Sequence, residues 1–99
     1  MKTYSTRGYE VRLIKSEYSY NKSLAVIMNT VQEEPFVCVT TCIDLIPKKN
    51  CAFVDTNNCP WLEEFLQENN IAKPTGRIGA SGFCVYPEYE FNIEVLDNE

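Results

Sequence analysis

Hydrophobic and polar positions alternate over residues 9–13 near the start of the chain. A period of two is typical of a strand with one buried face. The polar stretch 18–22 predicts a turn, and the apolar run 24–28 predicts a second strand that pairs with the first as a hairpin. Residues 29–35 are mostly polar and predict the next connection.

A longer run of β-branched and aromatic residues covers positions 36–43 and carries no charge. Such a run is typical of a strand that is buried on both faces, so we place it at the centre of the sheet. Residues 47–50 then break the chain, and residues 51–54 predict a short fourth strand.

One amphipathic helix is predicted near residue 60. Four large apolar residues recur there at helical spacing: Trp61, Leu62, Phe65 and Leu66. Residues 55–58 offer capping side chains, and Pro60 falls in the first turn, where its missing N–H does no harm. Asn69 and Asn70 can end the helix in a left-handed conformation.

The last third of the chain predicts turns and strands. Residues 73–76 suit a turn, and residues 76–82 hold three of the four glycines and predict a loop. Residues 83–86 predict a strand that Pro87 interrupts, and residues 89–95 alternate as another strand. Together these elements predict an α+β fold, an antiparallel sheet of five or six strands with one main helix packed on one face.

Composition adds limits to this picture. The 99 residues fit a single domain over 1–99, with 44% hydrophobic and 23% charged residues. No apolar run approaches a membrane span, and the start of the chain has no secretory pattern, so we expect a cytoplasmic protein with no membrane partner. There is no histidine, and the five cysteines form no C-x-x-C pair. We therefore expect reduced thiols, no metal, no cofactor and no enzymatic activity.

The net charge of −5 is unevenly distributed. Residues 1–50 carry seven basic and five acidic residues, whereas residues 51–99 carry two basic and nine acidic residues. Such an acidic half repels phosphates, so we expect no direct binding of nucleic acid. It suits a basic protein partner, although an acidic surface that only confers solubility remains the alternative.

Six glutamates are the candidate partner contacts. They are Glu63, Glu64 and Glu68 on the predicted helix, and Glu88, Glu90 and Glu94 along the last predicted strand. Alternate residues of a strand stand about 6.6 Å apart on one face, which resembles the phosphate spacing of an extended nucleic acid. The acidic row therefore predicts a mimic of a nucleic-acid backbone, or else a charged face that protects an edge strand from pairing.

The glycine-rich segment is a second candidate site. Backbone N–H groups freed by glycine, with two cations beside them, could cradle a small anion, and the residues concerned are Lys73, Arg77, Gly79, Ser81 and Gly82. The segment matches neither phosphate-binding glycine motif, because no lysine follows the glycines and their spacing is three. A turn whose glycines permit positive φ is the alternative explanation.

Three motifs carry a resemblance to a known family: D-T-N-N-C-P-W at 55–61, P-T-G-R at 74–77 and S-G-F-C-V-Y-P at 81–87. The chain resembles a family of small proteins, catalogued as a domain of unknown function, that conjugative transposons, plasmids and phages of Gram-positive bacteria encode. The resemblance implies a bacterial cytoplasmic setting and no established reaction. Small acidic proteins of such elements are often anti-defence factors, including anti-CRISPR and anti-restriction proteins.

By that analogy, the chain would inhibit a host defence nuclease, a CRISPR effector above all, by placing its acidic half in the nuclease's nucleic-acid groove. Two alternatives stay open. The chain could sequester a small nucleotide-like anion in the glycine-rich segment, or it could be a non-enzymatic accessory protein of mobile-element maintenance. The sequence leaves the oligomeric state open.

Overall fold

The computed structural model describes residues 2–98 and has an α+β architecture. Over these residues the chain forms nine strands, one α-helix and one 3-10 helix. In order, these are β1 (Tyr4–Thr6), β2 (Tyr9–Glu17), β3 (Leu24–Thr30), β4 (Pro35–Cys38), β5 (Thr40–Thr41), β6 (Cys51–Val54), α1 (Leu62–Glu68), β7 (Ala72–Ser81), β8 (Cys84–Phe91), the 3-10 helix (Ile93–Val95) and β9 (Asp97–Asn98).

The strands form two sheets. The first has five strands in the order β1-β2-β3-β4, with β9 paired to β2 in parallel at Ile14↔Asp97. The second has four strands in the order β5-β6-β8-β7. The predicted α+β class is confirmed and the first sheet has a predicted number of strands, but the pattern of the sequence did not indicate a second sheet.

The predicted first hairpin is confirmed and is longer than the pattern indicated. Strands β2 and β3 pair antiparallel from Val11↔Thr30 to Glu17↔Leu24. The turn between them is closed by the N–H of Tyr18, which donates to the carbonyl of Ser23 at 2.9 Å. Val11 and Leu13 are buried, as the period of two predicted, whereas Tyr9, the first apolar position of that pattern, is exposed.

The predicted central strand over 36–43 is wrong. The run is divided between β4, at the edge of the first sheet, and β5, at the edge of the second. Val39 lies between them and is fully buried; its N–H donates to Val26 of the first sheet, and its carbonyl accepts from Asp55. Val39 therefore carries the chain from one sheet to the other, which explains an apolar run without a central strand.

Helix α1 starts later than predicted and ends as predicted. Its N-cap is Trp61, which makes no side-chain capping bond, whereas Asp55 accepts from the N–H of Asn58 in the preceding turn. At the other end Asn70 has φ +56°, and the N–H of Ile71 donates to the carbonyl of Leu66 at 2.9 Å. This is the left-handed C-terminal cap that the two asparagines predicted.

The predicted turn at 73–76 and loop at 76–82 are replaced by strand β7, which forms a hairpin with β8. The register shifts between Pro74↔Tyr89 and Ile78↔Pro87, so three residues of β7 lie opposite Glu88 alone. Gly76 lies in this bulge with φ +92°, a conformation that glycine adopts without strain.

Strand β8 continues through Pro87 and stops sooner than predicted. The pairing of β8 with β6 begins at Phe53↔Glu88, so Pro87 lies just outside the paired residues on that side, where no N–H is needed. The strand ends at Phe91, because the side chain of Asn92 accepts from the N–H of Glu94 and starts the 3-10 helix.

The hydrophobic core draws on both sheets and on α1. Its cluster includes Leu13 and Met28 from the first sheet, Tyr89 from the second and Leu66 from the helix, each at most 1% exposed. No helix within residues 2–98 is long and apolar enough to cross a membrane.

Candidate functional site

The outer side of α1 carries two adjacent carboxylates. Leu62, Phe65 and Leu66 bury one side of the helix, and this leaves Glu64 and Glu68, one turn apart, exposed on the other. A hydrogen bond shared with Glu64 and the charge of that residue raise the pKa of Glu68. The two predicted contacts therefore form a like-charge pair.

No cation neutralises this pair within the described part of the chain. No lysine or arginine nitrogen of residues 2–98 lies within 4.0 Å of either carboxylate. Arg7 lines a shallow depression together with Glu64 and Glu68, but its guanidinium stacks on Trp61, 4.8 Å from the ring centroid. The negative charge of the pair stays available to an outside cation.

Glu63 has a different role from its two neighbours. Its Oε1 accepts a 2.7 Å hydrogen bond from the hydroxyl of Tyr89, which in turn accepts from Gln67 at 3.0 Å. Burial, and then the carboxylate of Glu63, raise the pKa of Tyr89 to about 12. The network fastens α1 to β8 and sets the position of the helix carboxylates.

This network predicts a loss of stability at high pH. Because the folded state holds the Tyr89 proton more tightly than the unfolded chain, whose tyrosine pKa is about 10, the contribution is full below pH ~10 and is lost as pH rises towards ~12. We expect the free energy of unfolding to fall less over this pH range in Tyr89→Phe than in the wild type, by on the order of 2 kcal/mol. Urea unfolding between pH 9 and about 12 measures it.

Tyr20→Phe is the matched control, since that ring is 76% exposed, and it should keep the decline of the wild type. An unchanged decline in Tyr89→Phe would show that the Tyr89 proton does not contribute.

Glu90 and Glu94 extend the acidic side chains beyond the helix. Glu90 of β8 forms an ion pair with Lys73 at 3.6 Å and lines, with Gln67 of α1, a depression of about 500 Å³. Glu94 is exposed in the 3-10 helix rather than in a strand. We call five residues the acidic surface: Glu63, Glu64, Glu68, Glu90 and Glu94.

Glu88 does not belong to the acidic surface, contrary to the prediction, because its side chain is fully buried. Its Oε1 accepts from the hydroxyl of Thr75 at 2.6 Å, and its Oε2 accepts from the backbone N–H of Lys48 at 3.1 Å and lies 3.8 Å from Arg77. The carboxylate therefore joins the β7 bulge to the loop between β5 and β6, and no partner reaches it.

The glycine-rich segment forms no anion cradle in this structure. Both of its cations face carboxylates, Lys73 with Glu90 and Arg77 with Glu88. Gly79 is buried against Ile43 and Phe53, and Ser81 and Gly82 are exposed at the tip of the β7–β8 hairpin. Residues 78–81 pair with β8, and the N–H of Arg77 in the bulge donates to the hydroxyl of Thr75 at 3.2 Å, so most of the segment is not an open loop.

The same hairpin exposes an apolar edge that was not predicted from the sequence. Phe83 is fully exposed, and Ile78 and Val85 are 66% and 62% exposed. Strand β7 is the last strand of the second sheet, and residues 78–87 carry no charge. We call Ile78, Phe83 and Val85 the hairpin edge. In a strand, Ile78 points to the face opposite its buried neighbour Gly79. A strand prediction for this segment would therefore have indicated the exposed apolar edge.

A groove lined by lysines was missed as well. It holds about 300 Å³ between the β2–β3 turn and the loop that joins β5 to β6. Its basic residues, which we call the lysine groove, are Lys15, Lys22, Lys48 and Lys49. The excess of basic residues in the first half of the chain was the available signal, but only the fold brings two distant segments together.

The thiols and carboxylates give no metal centre within residues 2–98, where no group of three or more is placed to hold an ion. All five cysteines are free thiols. Cys51 is buried, and burial raises the pKa of its thiol, whereas Cys38 is exposed rather than part of an apolar core.

Comparison with known proteins identifies a family and no function. Neither the search of curated proteins nor the search of solved structures gave a match. Residues 13–98, most of both sheets and all of α1, match a family described as a domain of unknown function, DUF4313. The chain is therefore a member of the DUF4313 family.

Proposed function

We propose that this chain is a non-enzymatic anti-defence protein of a mobile element, which binds a basic host nuclease, a CRISPR effector above all, and occupies its nucleic-acid groove. The observation that carries the proposal is the hairpin edge: three large exposed apolar residues on an uncharged hairpin at the edge of the second sheet, with Ile78 in β7, Val85 in β8 and Phe83 in the turn between them. An exposed apolar patch of this kind is typical of a protein-binding surface.

The charge of the chain supports a basic partner. Glu64 and Glu68 repel each other on α1 and have no cation of residues 2–98 within 4.0 Å. Cations of a partner would relieve that repulsion, and the nucleic-acid groove of a nuclease is a surface with many such cations. The mobile-element origin and the nuclease target rest on analogy with other small acidic proteins of such elements.

The test is direct binding to a CRISPR nuclease and to a restriction enzyme, with inhibition of DNA cleavage as the second readout. We expect Glu64→Lys/Glu68→Lys to weaken binding by about tenfold or more, because two favourable charge pairs become repulsive. Wild-type binding should also weaken steeply as salt is added.

Glu10→Lys/Glu34→Lys is the matched control, since both residues are exposed and belong to the first sheet and its turns, Glu10 in β2 and Glu34 in the β3–β4 turn. It makes the same change in net charge and should leave the affinity nearly unchanged. Phe83→Ser tests the hairpin edge and should also weaken binding. Equal losses in the two charge variants, or no binding to either nuclease, would overturn the proposal.

A further inference from the structure

The lysine groove concentrates positive charge on an otherwise acidic protein. Four of the nine lysines and arginines line it, although the net charge of the chain is −5. Two come from the β2–β3 hairpin and two from the loop between β5 and β6, so residues more than 20 positions apart in sequence face one space. The groove is therefore a product of the fold rather than of a basic run in the sequence.

These lysines are not used in internal ion pairs. The ion pairs of residues 2–98 involve Arg12, Lys73 and Arg77, and none involves a lysine of the groove. Glu17 is the one acidic residue among the lining residues. Four cations that share a space with one carboxylate still repel each other, and a bound anion reduces that repulsion.

Asn21 lines the same groove with a side chain held in one orientation. Its Oδ1 accepts from the N–H of Ser23 at 3.1 Å and from the hydroxyl of Ser23 at 2.6 Å, which fixes the orientation of the amide. Its Nδ2 is buried and has no hydrogen-bond partner. Because Nδ2 is buried, it is not presented to a ligand in the groove, and the amide contributes to the site as a fixed polar part of its wall.

The wall of the groove that the β5–β6 loop forms is held by two hydrogen bonds, one of them to the buried carboxylate of Glu88. Lys48 donates its backbone N–H to Glu88 at 3.1 Å, and Arg77 donates to the carbonyl of Ile46 at 3.4 Å. These two bonds hold the loop through backbone atoms of Ile46 and Lys48, so the side chain of Lys48 takes no part in them. The site is thus largely preformed, which lowers the cost of ordering it around a ligand.

We propose that the lysine groove binds a small nucleotide with two or more phosphates. Lysine is a common point-charge ligand of phosphate, and four of them match a multiply charged group. The lining also includes the apolar side chains of Leu24, Ile46 and Pro47, which offer a surface to a base. A volume of about 300 Å³ is at the small end of ligand sites and suits a mononucleotide rather than a polymer.

This site is independent of the acidic surface and of the hairpin edge, so it stands whether or not the chain inhibits a nuclease. It is also distinct from the glycine-rich segment, whose cations Lys73 and Arg77 face carboxylates.

Calorimetric titration of the whole chain with ADP tests the proposal, with inorganic pyrophosphate and adenosine as partial probes. We expect ADP to bind more tightly than either probe, and to bind more weakly as salt is added. Lys22→Gln/Lys49→Gln, one change on each wall, should weaken ADP binding by about tenfold. Both residues are exposed, so the variant should fold.

Lys2→Gln/Lys73→Gln makes the same change in net charge at exposed lysines outside the groove, and its affinity for ADP should stay within about twofold of the wild type. No detectable ADP binding overturns the proposal, as does an equal loss in both variants. If pyrophosphate binds as tightly as ADP, the groove recognises only an anion, and the assignment of a nucleotide is wrong.

Discussion

Replacing Glu88 with alanine should lower the free energy of unfolding by about 3 kcal/mol, a large effect for a single polar residue. The carboxylate is fully buried and accepts from Thr75 and from the N–H of Lys48, with Arg77 3.8 Å away. Its removal leaves the N–H of Lys48 without this partner, at a cost of about 1–3 kcal/mol for an unpaired donor, and leaves the Thr75 hydroxyl only its longer bond, 3.4 Å, to the backbone carbonyl of residue 88. Arg77 is one-third exposed, so water compensates part of the lost ion pair.

Urea unfolding at neutral pH measures this loss, and Glu90→Ala is the matched control. Glu90 lies two residues away on the same strand and also forms an ion pair, but its side chain is 49% exposed, so we expect a change within about 1 kcal/mol. Glu88→Gln, which keeps the volume and an acceptor oxygen, should fall between the two. Similar losses in Glu88→Ala and Glu90→Ala would contradict the assigned network.

The elements that the sequence predicted are those fixed by local patterns. The β2–β3 hairpin follows from the alternation of residues 9–13 and from a polar turn, and neither needs a distant contact. The end of α1 follows from Asn69 and Asn70, because asparagine tolerates the left-handed conformation better than most residues. In both cases, neighbours along the chain determine the structure.

The elements that the sequence predicted wrongly are fixed by contacts between distant segments. Val39 divides an apolar run because the two ends of that run pair with different sheets. No local pattern marks the position of Val39 as the dividing point. Residues 76–82 look like a loop by their glycines, yet Gly79 is needed for close packing against Ile43 and Phe53 rather than for a turn. A glycine in a sequence does not tell these two uses apart.

The acidic residues show the same division. The alternation rule places Glu88 and Glu90 on one side of β8, and it cannot show that the loop between β5 and β6 covers Glu88. The carboxylates of α1 were predictable because one helix defines their spacing. The lysine groove was not, because it needs the β2–β3 turn and the β5–β6 loop to lie side by side.

A methyl group added at residue 79 should destabilise the second sheet. The Cβ of Gly79→Ala would overlap Cδ1 of Ile43 and lie 2.9 Å from Cε1 of Phe53, which is 1% exposed. Forcing such contacts into a packed core costs about 1–3 kcal/mol. Urea unfolding measures the loss. Because φ at this residue is not positive, the cost reflects the lack of space rather than backbone strain.

A double-mutant cycle separates this explanation from a general preference for glycine. Ile43→Val alone should cost about 0.5–1.5 kcal/mol, since Ile43 is buried and loses a methyl group. Valine has no Cδ1, so in the Gly79→Ala background the same change removes the worse overlap, and the double variant should be more stable than the sum of the single losses by about 1 kcal/mol. The rescue should be partial, because the contact with Phe53 remains. If the two losses simply add, Ile43 does not limit the space at residue 79, and the glycine is required there for some reason other than the approach of that side chain.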